Sequence, residues 1–130
     1  MDKAQILHLF WNSFGIPAID ENSAYDTQVL EQLGIGYPRI TYEVAESNLG
    51  EPLQLTASIW YRQTSWFACE TKAKQIAAMI GWGGKIFPVQ GGYLRIMLPR
   101  DTAIFQRMSD PDDSMRRIVF NISVDYLTAT

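Results

Sequence analysis

The stretch from Leu53 to Gly81 has the clearest local pattern in the chain, because its hydrophobic period changes once along its length. Apolar and polar residues alternate over the first part, which predicts a half-buried strand. From Trp66 to Ile80 the apolar residues recur at spacings of three and four, which predicts an amphipathic helix. Thr64 or Ser65 can cap the start of this helix, and Gly81 can end it with a left-handed conformation. We expect the rest of the chain to pack around this strand and helix.

A second helix is predicted near the N-terminus. Asp2 is a suitable N-cap residue, and Gly15 followed by Pro17 is a stop signal. From Ile16 to Pro38 the pattern is weaker, and it fits a loop with a short helix around residues 26–33. The apolar residues on one face of the N-terminal helix are Leu7, Phe10, Trp11 and Phe14.

The remaining regular segments alternate apolar with polar residues and are predicted to be strands. The first two form a hairpin with an exposed tip at residues 46–52, a tighter hairpin follows the helix, and the last strand is the longest and is expected at the centre. This order predicts an α+β fold, with a mostly antiparallel sheet of about five strands and two main helices packed on one face. The predicted strands are Pro38–Val44, Leu53–Arg62, Lys85–Val89, Tyr93–Leu98 and Arg117–Tyr126.

Composition limits the class of protein. A chain of 130 residues, 47% hydrophobic and 19% charged, predicts a single globular domain over residues 1–130. A net charge of −3 with scattered basic residues argues against nucleic-acid binding, and one cysteine excludes an internal disulfide and favours a reducing compartment. No apolar run is long enough to span a membrane, and polar residues interrupt any signal-peptide core near the N-terminus.

No catalytic, cofactor or metal site is predicted. Cys69 is the only cysteine and lies on the apolar stripe of its helix, while His8 is the only histidine, so both are expected to be dispensable. The acidic run with Asp110, Asp112 and Asp113 lacks the glycine and glutamate of an EF-hand loop and is interpreted as a solvated turn. The glycines before Lys85 lack the spacing of a phosphate-binding loop.

The longest irregular stretch in the second half is Pro99 to Ser114, which we expect to be mobile in the free protein. Ile104, Phe105 and Met108 are spaced so that one helical turn brings them together. Such a turn is suited to insertion into a neighbouring subunit. The alternative is that these three side chains pack under the sheet of their own subunit.

Several long segments of the sequence resemble the small tail proteins encoded in the morphogenesis modules of long-tailed phages and prophages of Gram-positive bacteria. The resemblance covers most of the chain. Its segments are LHLFWNSFGIPAIDE at residues 7–21, PRITYEV at 38–44, LTASIWYRQTSW at 55–66, GGKIFPVQGGYLRI at 83–96 and FQRMSDPDDSMRRIVFNI at 105–122.

This resemblance implies a noncatalytic tail terminator or tail-completion protein of the virion, with a small sheet flanked by helices and assembled in the host cytoplasm. The implied partners are other copies of the chain in a six-membered ring, the tail-tube protein and the head-tail connector, without nucleic-acid recognition or a membrane. One alternative is a connector subunit. Others are an adaptor that binds by strand addition and a ligand-binding or enzymatic domain with a pocket formed by Trp11, Trp60, Trp66 and Trp82.

The candidate interface residues come from three features. Apolar side chains point outward from otherwise polar strand faces, Phe67 occupies a position where the resemblance leads us to expect a smaller or acidic residue, and the irregular stretch carries apolar anchors and an arginine. The resulting candidates are Trp60, Phe67, Ile104, Phe105, Arg107, Met108, Val119 and Leu127.

Overall fold

The computed structural model describes residues 2–21, 32, 36–45 and 53–128. The predicted short helix at residues 26–33, apart from Gln32, and the hairpin tip at residues 46–52 lie outside them. Two helices have described bounds, α1 at Lys3–Asn12 and α2 at Phe67–Ile80. The seven described strands are β1 (Ala18–Asp20), β2 (Arg39–Tyr42), β3 (Leu53–Tyr61), β4 (Lys85–Val89), β5 (Gly92–Met97), β6 (Phe105–Met108) and β7 (Arg116–Thr128).

The strands form one curled sheet in the order β1-β2-β3-β7-β5-β4. Only the pairing of β1 with β2 is parallel among the described strands, so the sheet is mostly antiparallel, as the sequence predicts. The longest strand, β7, lies inside the sheet. One edge of β7 pairs with β3, while the other edge pairs with β5 near its C-terminal end and with β6 near its N-terminal end.

All five predicted strands are present, and two short strands were not predicted. β1 has three residues, too few to show a period, and it is positioned by Asn12, whose side-chain amide exchanges hydrogen bonds with the backbone of Ala18 at 2.9 and 3.1 Å. β6 replaces the helical turn predicted at residues 104–108, and that prediction was wrong. The segment is extended because the edge of β7 beyond β5 offers unpaired backbone groups, which β6 satisfies.

Local capping fixes the helix boundaries as the sequence suggests. Asp2 and Gln5 form a reciprocal capping box at the start of α1. At the start of α2, the hydroxyl of Ser65 accepts the N–H of Phe67 at 3.1 Å. Gly81 ends α2 with a φ of 66°, and its N–H donates to the carbonyl of Ala77. Asp2 and Gly81 therefore act as predicted, whereas at the start of α2 the Ser65 hydroxyl accepts one N–H and the N-cap residue, Trp66, makes no side-chain capping hydrogen bond.

Both helices lie on one face of the sheet, where the core forms. The ring of Trp11 from α1 meets the ring of Phe120 from β7 edge-on, with centroids 6.1 Å apart. The thiol of Cys69 from α2 reaches the Ile59 carbonyl of β3 at 3.5 Å. Lys72 of α2 joins the helices by donating to the Phe14 carbonyl at 2.7 Å. The largest fully buried side chains are Trp11, Phe120, Leu7, Ile40, Leu55, Ile59, Ile76, Ile80, Leu94, Ile96 and Ile118.

Candidate interaction surface

The face of the sheet opposite the two described helices carries a polar network around Trp60. Its indole N–H donates to Thr41 Oγ1 at 3.0 Å, and the guanidinium of Arg117 lies over its ring at 4.8 Å. Arg117 also donates to the hydroxyl of Ser58. These contacts fix the orientation of the Trp60 side chain, which is partly exposed. Val119 lies on the same face of the sheet, directly opposite Ser58. Two of the candidate interface residues therefore do face outward.

At the other end of this face, exposed apolar side chains continue across three strands. Leu127 of β7 lies opposite Tyr93 of β5, which in turn lies opposite Pro88 of β4. Leu127 is 39% exposed and Tyr93 46% exposed. Ile86, two residues before Pro88 on the same side of β4, is 59% exposed. The candidate Leu127 is thus the end of an apolar row, not an isolated contact.

The candidates at residues 104–108 lie on both sides of β6. Ile104 and Phe105 pack against the core, and the Phe105 ring stacks on Phe120 with centroids 6.1 Å apart. Arg107 forms an ion pair with Glu70 of α2, and this hydrogen bond lowers the pKa of the Glu70 carboxyl. Met108 points to the opposite side of the strand. The structure therefore does not bring these side chains together in one apolar surface.

We expect the Phe105→Ala, Met108→Ala double variant to lower the free energy of unfolding by about 1 to 3 kcal/mol, mainly through Phe105. Phe105 contacts the core ring of Phe120, whereas Met108 is partly exposed beside Gln106. Chemical denaturation of each single variant separates the two contributions. Unchanged stability in Phe105→Ala would contradict the packing described here and favour a contact with another subunit.

A groove that the sequence does not predict separates α1 from β4. Its volume is about 840 Å³, and its walls are almost entirely apolar. The two helices contribute exposed side chains to it, Leu9 at 50% and Met79 at 51% exposure. The lining residues are Ile6, Leu9, Phe10, Ser13, Phe14, Met79, Lys85, Phe87, Pro88, Val89 and Gln90. The sequence did contain one sign of this groove. Leu9 and Met79 are apolar but lie outside the apolar stripes that predict the two helices, so they could have been recognised as exposed apolar side chains.

Trp82 lies between two groove residues in sequence but does not line the groove itself. It belongs to the tight turn between Met79 and Lys85, both of which line the groove, and the turn is closed by the N–H of Gly84 donating to the Gly81 carbonyl at 3.2 Å. Trp82 is 72% exposed. An apolar groove and an exposed tryptophan are each features of the kind that marks interaction sites on soluble proteins.

Pro88 limits how a partner can use β4, which is an edge strand of the described sheet. A two-residue turn, Gln90–Gly91, joins β4 to β5, so Val89 pairs with Gly92 by hydrogen bonds toward β5. Backbone groups alternate in direction along a strand, so residue 88 points its backbone away from β5. Proline has no N–H, and the outer edge of β4 therefore lacks one of its two outward donors. Strand addition at this edge is disfavoured.

The structure rules out one pocket formed by all four tryptophans. Trp11 is buried on the helix side of the sheet, where it contacts Phe120. Trp60 lies on the opposite face, with its indole bonded to Thr41. The ring of Trp66 faces the guanidinium groups of Arg107 and Arg116. None of the four lines the groove.

His8 and Cys69, the only histidine and the only cysteine in the sequence, form hydrogen bonds with different residues. His8 Nδ1 forms a hydrogen bond with the Tyr42 hydroxyl at 2.7 Å. Cys69 is fully buried, and burial raises its thiol pKa from 9.0 to about 12. A thiol with a raised pKa is a poor nucleophile at neutral pH.

We therefore expect native Cys69 to resist alkylation at pH 8 and to react once the protein is unfolded. Above pH 9 the unfolded thiol ionises while the folded one stays protonated, so this group lowers stability progressively between pH 9 and about 12. The measurement is the rate of iodoacetamide labelling by mass spectrometry, with and without urea. Fast labelling of the folded protein would contradict the buried position.

The Cys69→Ala variant should still fold, with a free energy of unfolding that is lower by about 1 kcal/mol or somewhat more.

The acidic turn is closed by its own hydrogen bonds. Asp112 Oδ1 accepts both the N–H and the hydroxyl of Ser114, at 2.9 and 2.7 Å, and these bonds lower the pKa of the Asp112 carboxyl. Asp110 Oδ1 accepts the N–H of Asp112 at 2.9 Å. Within the described ranges, no three His, Cys, Asp or Glu side chains are grouped so that they could hold a metal ion.

Comparison with known proteins finds no relative of this chain. No protein-family model matches the chain, and no curated protein or solved structure is significantly similar to it. In the part of the chain that the structure describes, neither helix is long and apolar enough to cross a membrane. The exposed apolar surface is therefore the feature from which a function can be argued.

Proposed function

We propose that the chain is a noncatalytic structural protein of a siphophage tail, and that it works as the tail terminator or tail-completion protein. In this role it forms a ring, six-membered as in the terminators it resembles, at the head-proximal end of the tail tube. Its partners are further copies of itself, the tail-tube protein and the head-tail connector. It is assembled in the host cytoplasm and belongs to the virion tail.

The observation that carries this proposal is the amount of apolar surface exposed at separate places on a small chain. Phe67 at the start of α2 is 78% exposed, Trp82 beyond its end is 72% exposed, and an apolar groove lies between α1 and β4. A subunit that contacts neighbours on two sides needs two such surfaces. The α+β fold with both helices on one face agrees with the sheet flanked by helices that the resemblance implies.

Inactivating the gene in the phage or prophage that encodes it tests the proposal. We expect heads and tails to accumulate unjoined, or tubes of irregular length, in electron micrographs of the lysate. A plasmid copy of the wild-type gene should restore infectious particles, which controls for effects on neighbouring genes. If normal infectious particles form without the gene product, the proposal is wrong. In a separate lysate that contains the gene product, antibody labelling on tails that lack heads indicates a terminator, whereas labelling on isolated heads indicates a connector subunit.

The groove favours a second candidate function, the binding of a small apolar molecule. Its volume of about 840 Å³ falls within the roughly 300–1,000 Å³ typical of ligand pockets. Among the described residues that line the groove, Lys85 is the only charged one. Native mass spectrometry of the purified protein would reveal a bound compound as an added mass that disappears in Leu9→Glu. An unliganded mass in every preparation argues against this candidate.

A further inference from the structure

Two arginine side chains, Arg39 and Arg62, contact the same aromatic ring near Trp60. The guanidinium carbon of Arg39 lies 4.0 Å from the ring centre of Tyr37, and that of Arg62 lies 4.8 Å from the same centre. The two guanidinium carbons are therefore within about 10 Å of each other. Two cations this close repel each other unless an anion lies near both or water screens them. Arg39 and Arg62 are called the arginine pair below.

Arg39 is the more buried member of the arginine pair, and part of its guanidinium group lacks a partner. Only 7% of Arg39 is exposed. Its Nη2 donates to the Tyr37 hydroxyl at 2.5 Å, whereas Nη1 is buried and has no hydrogen-bond partner among the described residues. Arginine does not lose its proton in proteins, so the cost of burial cannot be relieved by neutralisation. A buried donor without an acceptor is rare in native proteins, and a bound ion or water is a common reason for one.

No carboxylate on the sheet pairs with these arginines among the described residues. Glu43 is four residues beyond Arg39, about 13 Å farther along the extended chain, and its Oε1 accepts the N–H of Thr56. Within the described ranges one ion pair is present, between Arg107 and Glu70. The acceptor that Arg39 Nη1 lacks is therefore not supplied by a neighbouring strand.

The acidic turn lies closer to Arg62, but its carboxylates do not pair with it. Hydrogen bonds from Ser114 lower the pKa of the Asp112 carboxyl, and the charge of Arg62 lowers it further. The turn also has another cation beside it, because Arg116 donates to one of its backbone carbonyls. In the part of the chain that the structure describes, neither arginine of the pair forms an ion pair with the carboxylates of this turn, which are Asp110, Asp112 and Asp113.

We propose that Arg39 and Arg62 bind an oxyanion, a phosphate or carboxylate group, beside Tyr37. A phosphate that accepts hydrogen bonds of about 2.8 Å from both guanidinium groups spans the distance that the shared ring allows. It provides the acceptor for Arg39 Nη1 and reduces the repulsion between the two cations. Arg62 is exposed, so an anion can approach from its side. The site uses neither the groove nor the surfaces on which the proposed tail function depends.

Titration with inorganic phosphate, against chloride at equal ionic strength, tests the site. We expect saturable shifts of the Arg39 and Arg62 side-chain N–H signals in NMR spectra, with the signals assigned from Arg39→Gln and Arg62→Gln. Each variant should bind phosphate at least about 10-fold more weakly than the wild type, because one charged donor group is lost. Arg100→Gln is the matched control, since it removes the same charge from an exposed arginine that has no described contact with Tyr37.

A parallel titration with acetate identifies the kind of oxyanion. Saturation by phosphate alone assigns a phosphate ligand, and saturation by acetate alone assigns a carboxylate. Thermal unfolding gives a second measurement, in which the anion that binds should raise the midpoint of the wild type and Arg100→Gln above the general salt effect shared by all four proteins. If Arg39→Gln does not fold, the exposed Arg62→Gln provides the comparison. No saturation with either anion, or equal binding by Arg62→Gln and the wild type, overturns the proposal.

Discussion

We expect Phe120→Ala to lower the free energy of unfolding by about 3 to 5 kcal/mol, as large truncations in a core do. Phe120 is fully buried near the middle of β7 and contacts the rings of Trp11 and Phe105. Alanine leaves a cavity between a helix and two strands, and none of them can move inward without breaking its other contacts. Domains of this size are stable by about 5–15 kcal/mol, so the variant retains little margin.

Phe67→Ala is the matched control, since it removes the same side chain from a position that is 78% exposed. We expect its unfolding free energy to differ from the wild type by no more than about 0.5 kcal/mol at concentrations where the protein is monomeric. Urea denaturation followed by tryptophan fluorescence measures both variants. Equal losses in the two variants would mean that Phe120 is not at the centre of the core.

The second large effect is expected for Gly84→Ala, with a loss of about 2 to 4 kcal/mol. Gly84 has a φ of +75°, a conformation that alanine adopts only with strain. A Cβ atom there would lie 2.7 Å from the backbone carbonyl oxygen of Ile96 and 2.9 Å from Cγ of Met97. Because the nearest atom belongs to the backbone of β5, the clash cannot be relieved by a side-chain rotation.

The neighbouring glycine provides the control for this prediction. A Cβ atom on Gly83 would have nothing within 4 Å, so Gly83→Ala should change stability by no more than about 0.5 kcal/mol. Thermal unfolding of the two variants under the same conditions makes the comparison. A Gly84→Ala protein as stable as Gly83→Ala would show that the turn and β5 are farther apart than described.

The parts of the fold that the sequence predicts are those with a sustained period or a local chemical boundary. The alternation through β3 and the helical spacing through α2 each extend over many residues, so chance matches are few. The N-cap role of Asp2 and the terminal glycine at 81 depend on neighbours in sequence. Such features can be found without knowing what the segment packs against.

The parts that escape prediction depend on residues far away in the chain. β6 is extended because it pairs with the part of the β7 edge that β5 does not reach. No property of residues 105–108 alone reveals that this edge is available. The groove lies between α1 and β4, which are far apart in sequence, so its walls are known only after the sheet is assembled. For the same reason the eight candidate interface residues, chosen segment by segment, are spread over both faces of the sheet.

The split pairing of β7 also determines when the chain can fold during synthesis. β7 joins β3 on one side to β5 and β6 on the other, yet it follows all of them in sequence. Ribosomes make the N-terminal part first, so the β1-β2-β3 layer and the β4-β5 hairpin must wait for residues 116–128 before they become one sheet. Until then β3 and β5 expose edges on which other nascent chains can pair. A stop codon within β7 would therefore leave two unjoined sheet fragments, not a slightly shorter protein.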